Sequence, residues 1–167
     1  MAHEEDHGKT LAELEARAWE LAEKIKFALF TTWNGEKLAQ WPLTAHVDRE
    51  ARAFYFLVDK NAGQYSHLEL LPDVMLGFVD SPGTKYVVIN GKTSISNDRA
   101  KIQELWTPFA KAWWDSADDP SIRVLTVTPN RAEVWDAPNQ LIAAAVMLTA
   151  AVTGAKPSVG DHGAVRM

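Results

Sequence analysis

Apolar residues recur along this chain with two different periods. Leu11, Leu14, Ala18, Leu21 and Ile25 form a stripe at 3.6-residue spacing, and the opposite face is rich in Glu and Lys. Thr10-Leu11-Ala12-Glu13 has the capping-box pattern, in which the hydroxyl and the carboxylate satisfy free N–H groups. An amphipathic helix is therefore predicted, with Trp19 off the centre of its stripe, where it can meet a neighbouring element or subunit. Beyond it the pattern shortens. Segments 27–33, 37–47, 53–58, 73–79, 84–95, 122–128 and 131–135 read as strands. Asn34-Gly35 is a type I′ hairpin signal, and 48–52, Ser81-Pro82-Gly83 and Pro129-Asn130 are further turns. Asn90-Gly91 predicts a bulge or sharp bend inside the long segment 84–95.

Three more helical patterns follow. Residues 64–71 form a short one ended by Pro72. Asn97 can cap another, with Ile102, Leu105, Trp106 and Phe109 on one side and Pro108 ending or kinking it. The last, 139–153, is apolar on almost all faces, which predicts burial or packing against a partner. Residues 1–9 read as a frayed tail and 154–167 as a loose one, leaving one domain over 10–153. Six or seven short antiparallel strands joined by tight turns predict a mainly β fold, a closed or partly closed barrel with helices plugging its ends. A doubly wound α/β sheet fits worse, because the strands do not alternate with full-length helices.

Composition narrows the function classes. The chain has 167 residues, 47% apolar and 23% charged, with a formal charge of −5. That balance argues against sequence-independent nucleic-acid binding, which needs a basic surface. The absence of cysteine removes disulfides, thiolate metal sites and cysteine nucleophiles, and fits a cytoplasmic protein. The N-terminus lacks the apolar core of a secretory signal, and the longest apolar run, 141–152, is too short for the roughly 20 residues that span a bilayer. No membrane association is expected.

Motif chemistry is sparse. There is no dinucleotide fingerprint, phosphate-binding P-loop, nucleophile elbow or HExxH. His3 and His7 have metal-ligand spacing but sit in the tail; His46 and His67 are isolated, and each reads as a satisfied core or interface histidine. No metal and no catalytic acid or base is assigned. Seven tryptophans, at 19, 33, 41, 106, 113, 114 and 135, can wall a pocket for a planar ligand or serve as filler. The strand 53–58 runs into Asp59-Lys60-Asn61-Ala62-Gly63-Gln64 and a helix start, a junction whose backbone N–H groups could hold an anion.

In this order the segments resemble a known family. The likeness is carried by residues 91–106 (GKTSISNDRAKIQELW), Ala112-Trp113-Trp114, Asp118-Asp119-Pro120, residues 124–129 and Ala132-Glu133-Val134-Trp135-Asp136. It resembles the general stress protein 26 group of the pyridoxamine 5′-phosphate oxidase-like flavin-binding split barrels. The resemblance implies a six-stranded split barrel and a homodimer with flavin mononucleotide (FMN) between the subunits; FAD or riboflavin are alternatives. Family members typically hold flavin with a strand ending Arg-Pro-Met, matched here by Trp41-Pro42-Leu43 and followed by Thr44. They hold its phosphate with a Ser-x-Lys turn, matched by the strand end Val58 and the turn Asp59 to Gln64, with the lysine position on Gln64. Trp106 and Trp113 match cleft-wall tryptophans. Trp41 and Gln64 thus stand where cations are usual, and Lys60 is the candidate compensating charge. Three roles stay open: a flavin-dependent oxidoreductase of unknown substrate, a flavin carrier or sensor without turnover, and a dimeric scaffold that has lost the cofactor.

Overall fold

In the computed structural model, which describes residues 9–138, 140–154, 156 and 160–167, strand pairing follows the hydrophobic alternation. The chain runs α1 (Leu11–Ile25), β1 (Phe27–Trp33), β2 (Leu38–Thr44), β3 (His46–Asp48), β4 (Ala53–Asp59), β5 (Asp73–Asp80) and β6 (Lys85–Ser96). Then come α2 (Arg99–Leu105), β7 (Ile122–Asp136), α3 (Gln140–Thr153) and β8 (Asp161–Arg166). All pairings are antiparallel, in the order β2-β1-β5-β6-β7-β4-β3, with β8 added beside β7. The first and last members of that path are separated in sequence by Ala45 alone, whose N–H donates to the Lys26 carbonyl at 2.8 Å. One bent strand therefore returns the sheet to its start, and the fold is a split barrel. Counted that way the barrel has the six strands expected, and β8 is an addition.

Alternate residues of each strand fill the interior: Phe30, Phe54, Phe56, Leu76, Phe78, Val87, Ile89, Leu125 and Val134 are buried. Full burial of such a side chain contributes about 1.5–3 kcal/mol. α1 caps one end of the barrel. Its capping box is formed, with Glu13 N–H donating to Thr10 Oγ1 and the Glu13 carboxylate accepting from Thr10 N–H. Leu14, Ala18, Leu21 and Ala22 face the core, and Trp19 turns fully inward to stack on Phe54 at 4.8 Å. Leu11 of the predicted stripe is exposed.

Several elements differ from the sequence pattern. The 34–37 hairpin is not a type I′ turn, which needs positive φ at two residues; only Gly35 has it, and the Asn34 side chain accepts from the Glu36 and Lys37 N–H groups to close a four-residue loop. The predicted 64–71 helix is a single 3₁₀ turn, Gly63–Tyr65, followed by further turns. α2 is capped by Asp98, not Asn97, and ends before Phe109, which is 87% exposed. The two strands expected around Pro129-Asn130 are one, because the predicted bulge at Asn90/Gly91 absorbs the irregularity opposite Pro129. The tail expected to be loose includes β8, where Gly163 lies against Leu14 of α1. α3 is a helix, but its described side chains are largely exposed, Met147, Leu148 and Val152 among them. The 1–9 tail, with His3 and His7, lies outside the described residues except for Lys9.

The bulge has a steric reason. A Cβ on Gly91 would come 2.5 Å from the Thr128 carbonyl oxygen and 2.9 Å from Val127 Cγ1. Gly91→Ala is expected to cost about 1–2 kcal/mol through forced backbone movement, seen as a lowered urea midpoint with an unchanged slope.

Candidate functional site

β2 decides how the expected flavin residues are displayed. Its period of two turns Trp41 and Leu43 toward the core and leaves Pro42 and Thr44 exposed on the outer face. Four consecutive residues therefore present side chains to two different places. Proline is tolerated at 42 because within the sheet β2 pairs only with β1, opposite Leu29.

The inward side is aromatic. Trp41 packs on Phe30 at 5.4 Å and meets the Tyr65 ring edge-on at 5.6 Å. Tyr65 is buried, which raises its phenol above the usual range, with the neighbouring Gln64 and Trp41 side chains opposing that effect. The Trp41 indole N–H lies beside that hydroxyl yet has no acceptor in good geometry. Val58 closes the same cluster from β4.

The turn after β4 uses most of its backbone donors internally. Asn61 N–H donates to the Asp59 carboxylate at 2.8 Å, and Ala62 N–H to the Asp59 carbonyl at 3.0 Å. Tyr65 and Ser66 N–H groups donate to the Ala62 and Gly63 carbonyls, and Lys60 N–H to Ser121 O at 2.9 Å. The anion-binding junction expected from sequence thus has most of its donors taken by its own chain, with the Asp59 carboxylate already in the turn; among the described residues the Gly63 and Gln64 N–H groups have no acceptor. The Lys60 charge acts on Asp119, whose carboxyl is held low mainly by hydrogen bonds from Ser121 and further by Arg99 and Lys60.

The two remaining predicted residues lie elsewhere. Trp106 packs with Tyr55, Leu57 and Trp114 on the cluster of Ile102, Leu105, Ala117, Ile122 and Val124, where α2 covers β4 and β7 from outside. Trp113 is 81% exposed. Beside Trp106, the Lys101 ammonium sits 4.2 Å over the Tyr55 ring. His46, paired with Tyr55, is pushed toward its neutral form by burial first and by Lys101 and Lys26 next. His67 shares a 3.0 Å hydrogen bond with the buried Thr32 hydroxyl.

A shallow hollow of about 310 Å³ lies on the outer face of β1, β2 and β5, lined by Ile25, Phe27, Ala28, Leu29, Pro42, Gly77 and Val79. Its volume is at the low end of the roughly 300–1,000 Å³ of small-molecule sites. Gly77, paired with Leu29, forms its floor: a Cβ there would meet nothing closer than 3.8 Å. Of the predicted residues only Pro42 lines it. The missed signals were β1's outward Phe27 and Leu29 and a glycine inside β5. A second hollow of about 240 Å³ is lined by Leu68, Glu69, Thr93, Ser94 and Ile95.

The model of the family described as pyridoxamine 5′-phosphate oxidase like matches residues 13–158. The chain belongs to this family. It is also similar to general stress protein 26 of Bacillus subtilis (strain 168), 27% identical over 113 residues, covering 66% of this chain and 79% of that one. Among solved structures it resembles a protein assigned as a general stress protein 26 from Jannaschia sp. CCS1, with TM-score 0.76 and 22% identity over 95% of this chain and 100% of that one. It also resembles the general stress FMN/FAD binding protein from Xanthomonas citri, with TM-score 0.67 and 21% identity over 77% of this chain and 91% of that one. At such identities the structural likeness speaks for the fold.

Against that family background the site divides. The outer hollow is apolar and suits one face of a planar ring. The corner of Trp41, Asp59, Gln64 and Tyr65 is aromatic, neutral at Gln64 and negative at Asp59, with the exposed Lys60 as the cation of the turn. Among the described residues no helix is long and apolar enough to cross a membrane, and no group of three or more His, Cys, Asp or Glu could hold a metal ion.

Proposed function

We propose that this protein binds a flavin as a homodimer, with the ring held against the outer hollow. The observation that carries the reading is an apolar hollow beside Pro42 in a chain of the pyridoxamine 5′-phosphate oxidase-like family; the Xanthomonas citri relative, an FMN/FAD binding protein, adds support. Pro42, Leu29 and Gly77 would form the surface under the ring. When bound, a flavin supplies electron or hydride transfer. None of the side chains lining the hollow can donate or accept a proton, which favours a carrier or electron-relay role over chemistry that needs a general acid or base.

Two copies are expected because Phe27, Leu29, Val79 and the α3 residues Met147, Leu148 and Val152 leave large apolar surfaces uncovered on one chain. An exposed apolar patch of this kind marks an association surface. A partner over Phe27, Leu29 and Val79 would also convert the open hollow into a closed slot.

The test is a titration of the full-length protein with FMN, FAD and riboflavin, followed by flavin fluorescence and visible absorbance, with the mass in solution measured alongside. Gly77→Val raises the floor of the hollow, where an added Cβ makes only ordinary contacts at 3.8 Å, and is expected to weaken flavin binding at least tenfold while leaving stability within about 0.5 kcal/mol of wild type. Equal affinity in Gly77→Val would remove the ring from this hollow.

A further inference from the structure

We infer that α3 is an arm reaching across to a second copy, so that α3 of one chain roofs the outer hollow of the other. The inference rests on the flavin and dimer reading above and names the part of the partner that completes the site.

The arm has a fixed root. β7 and β8 pair up to Asp136 opposite Asp161, so residues 137–160 leave the sheet and return to the same point. Gly160 permits that return: its φ is +74°, and a Cβ there would come 2.3 Å from Ala137 Cα. Thr84 pins the outgoing side, its carbonyl accepting from Ala137 N–H at 3.3 Å and its hydroxyl donating to the Pro138 carbonyl. Beyond the root, no residue from 137 to 155 is charged. In a single copy every residue from Ala144 to Thr153 is exposed except Val146 and Ala150, which are half-buried. The exposed positions therefore lie on nearly every side of the helix. The Thr149 and Thr153 hydroxyls donate to carbonyls four residues back, at 2.9 and 2.8 Å, so the helix also satisfies its own polar side chains. An uncharged helix of this kind belongs under cover, and its own chain supplies little.

The surface that lacks a roof begins beside that root. Strand register places Val79, Tyr86, Trp135 and His162 in one row across β5, β6, β7 and β8. The row runs from the hollow, which Val79 and Phe27 line, to the residue before Asp136, where the arm starts. No described residue of α3 lines the hollow of its own chain. With 14 residues the helix is about 21 Å long, enough to cross the roughly 14 Å from β2 to β6.

The area suits a second copy. Large apolar side chains of this band and of the arm range from 38% exposed at Tyr86 to 87% at Val152. Such side chains carry up to roughly 150–250 Å² each, so band and arm together offer most of the roughly 800 Å² that each partner gives to a stable interface. A two-fold axis that sets each arm on the other's band makes one isologous contact and two roofed hollows.

The experiment uses the absence of cysteine from the chain. Full-length protein carrying Val79→Cys with Leu148→Cys, and a second form carrying Phe27→Cys with Met147→Cys, are treated with a short bismaleimide and separated under denaturing conditions. The inference expects covalent dimer from both pairs and far less from any single substitution. It also expects Leu148→Gln, an exposed position, to weaken FMN binding at least tenfold. A link within one chain would overturn it by placing the arm over its own hollow. No link from either pair would overturn it as well, and sedimentation of that protein with phosphatidylcholine vesicles would identify lipid as the cover. Unchanged FMN affinity in Leu148→Gln would remove the roof. The two readings fail separately: cross-chain links in a protein that binds no flavin would uphold the arm and sink the flavin reading, whereas flavin binding without such links would do the reverse.

Discussion

Replacing Trp19 by alanine is expected to destabilise the protein by about 3–5 kcal/mol, the range for deleting a buried aromatic side chain. Trp19 is 1% exposed and stacks on Phe54, 4.8 Å away with rings nearly parallel. Phe54 in turn contacts Phe78, so the indole joins α1 to the aromatic centre of the barrel. Its removal leaves a void at the junction of helix and sheet, where rigid strands limit collapse. Since a domain is stable by only about 5–15 kcal/mol in total, urea unfolding should show a midpoint lowered by a large fraction. Trp19→Phe separates shape from polarity. The Trp19 indole N–H is buried without an acceptor, so phenylalanine removes an unsatisfied donor and offsets part of the lost volume. Its cost is expected to be within about 1.5 kcal/mol. Equal losses in both variants would show that volume at this position is unimportant.

The second large effect is expected at Asp136, whose side chain is 9% exposed. It pairs with Arg17 at 2.7 Å and Lys85 at 2.5 Å, joining α1, β6 and β7, while Lys9 lies 3.6 Å away and also pairs with Asp161 of β8. Burial alone would raise this carboxyl, but hydrogen bonds from Arg17 and Lys85, with their charges, push it down to about 2. Asp136→Asn leaves those cations without their carboxylate, and a cost on the order of 3 kcal/mol is expected, the low end for a broken buried pair because both retain some water contact. The pH dependence has a definite sign. A carboxyl whose pKa falls on folding stabilises fully above its unfolded value, near 4, and that contribution is lost as pH drops through about 2. Urea melts at pH 7, 4 and 2 should therefore show the gap between wild type and Asp136→Asn narrowing by about 2 kcal/mol at the acid end. A constant gap would mean that Asp136 acts through packing alone.

Much of the barrel was legible in the sequence because its signals are local. The capping box at Thr10, the alternation of β1 and the bulge at Gly91 each depend on a few neighbouring residues, and each formed as expected. What was misread depended on distant partners. Pro129 looked like a strand end, yet Gly91 across the sheet accommodates it and β7 continues. Residues 161–166 carry few apolar side chains and looked loose, yet the open edge of β7 and Leu14 of α1 give them something to pair with.

The candidate site was legible only in part, for the same reason. A run such as Trp41-Pro42-Leu43-Thr44 announces its alternation but not which face belongs to a ligand. The turn at Asp59 announces free N–H groups, but not that its own carboxylate and carbonyl would take two of them. Trp106 and Trp113 are separated because Pro108 begins a new turn between them, leaving one ring packed and the other in solvent.

The length and position of β7 bear on how the protein can be made. β4 and β6 both pair with this strand, and the β4 contact joins Phe54 to Val127, far apart in the chain. During synthesis at roughly 5–20 residues per second, β4 and β6 emerge several seconds before the strand that covers their edges. Unpaired strand edges are templates for aggregation. A nascent chain stalled ahead of Ile122 would thus hold Phe54, Phe56, Val87 and Ile89 on an unclosed sheet, with assembly waiting on its last quarter.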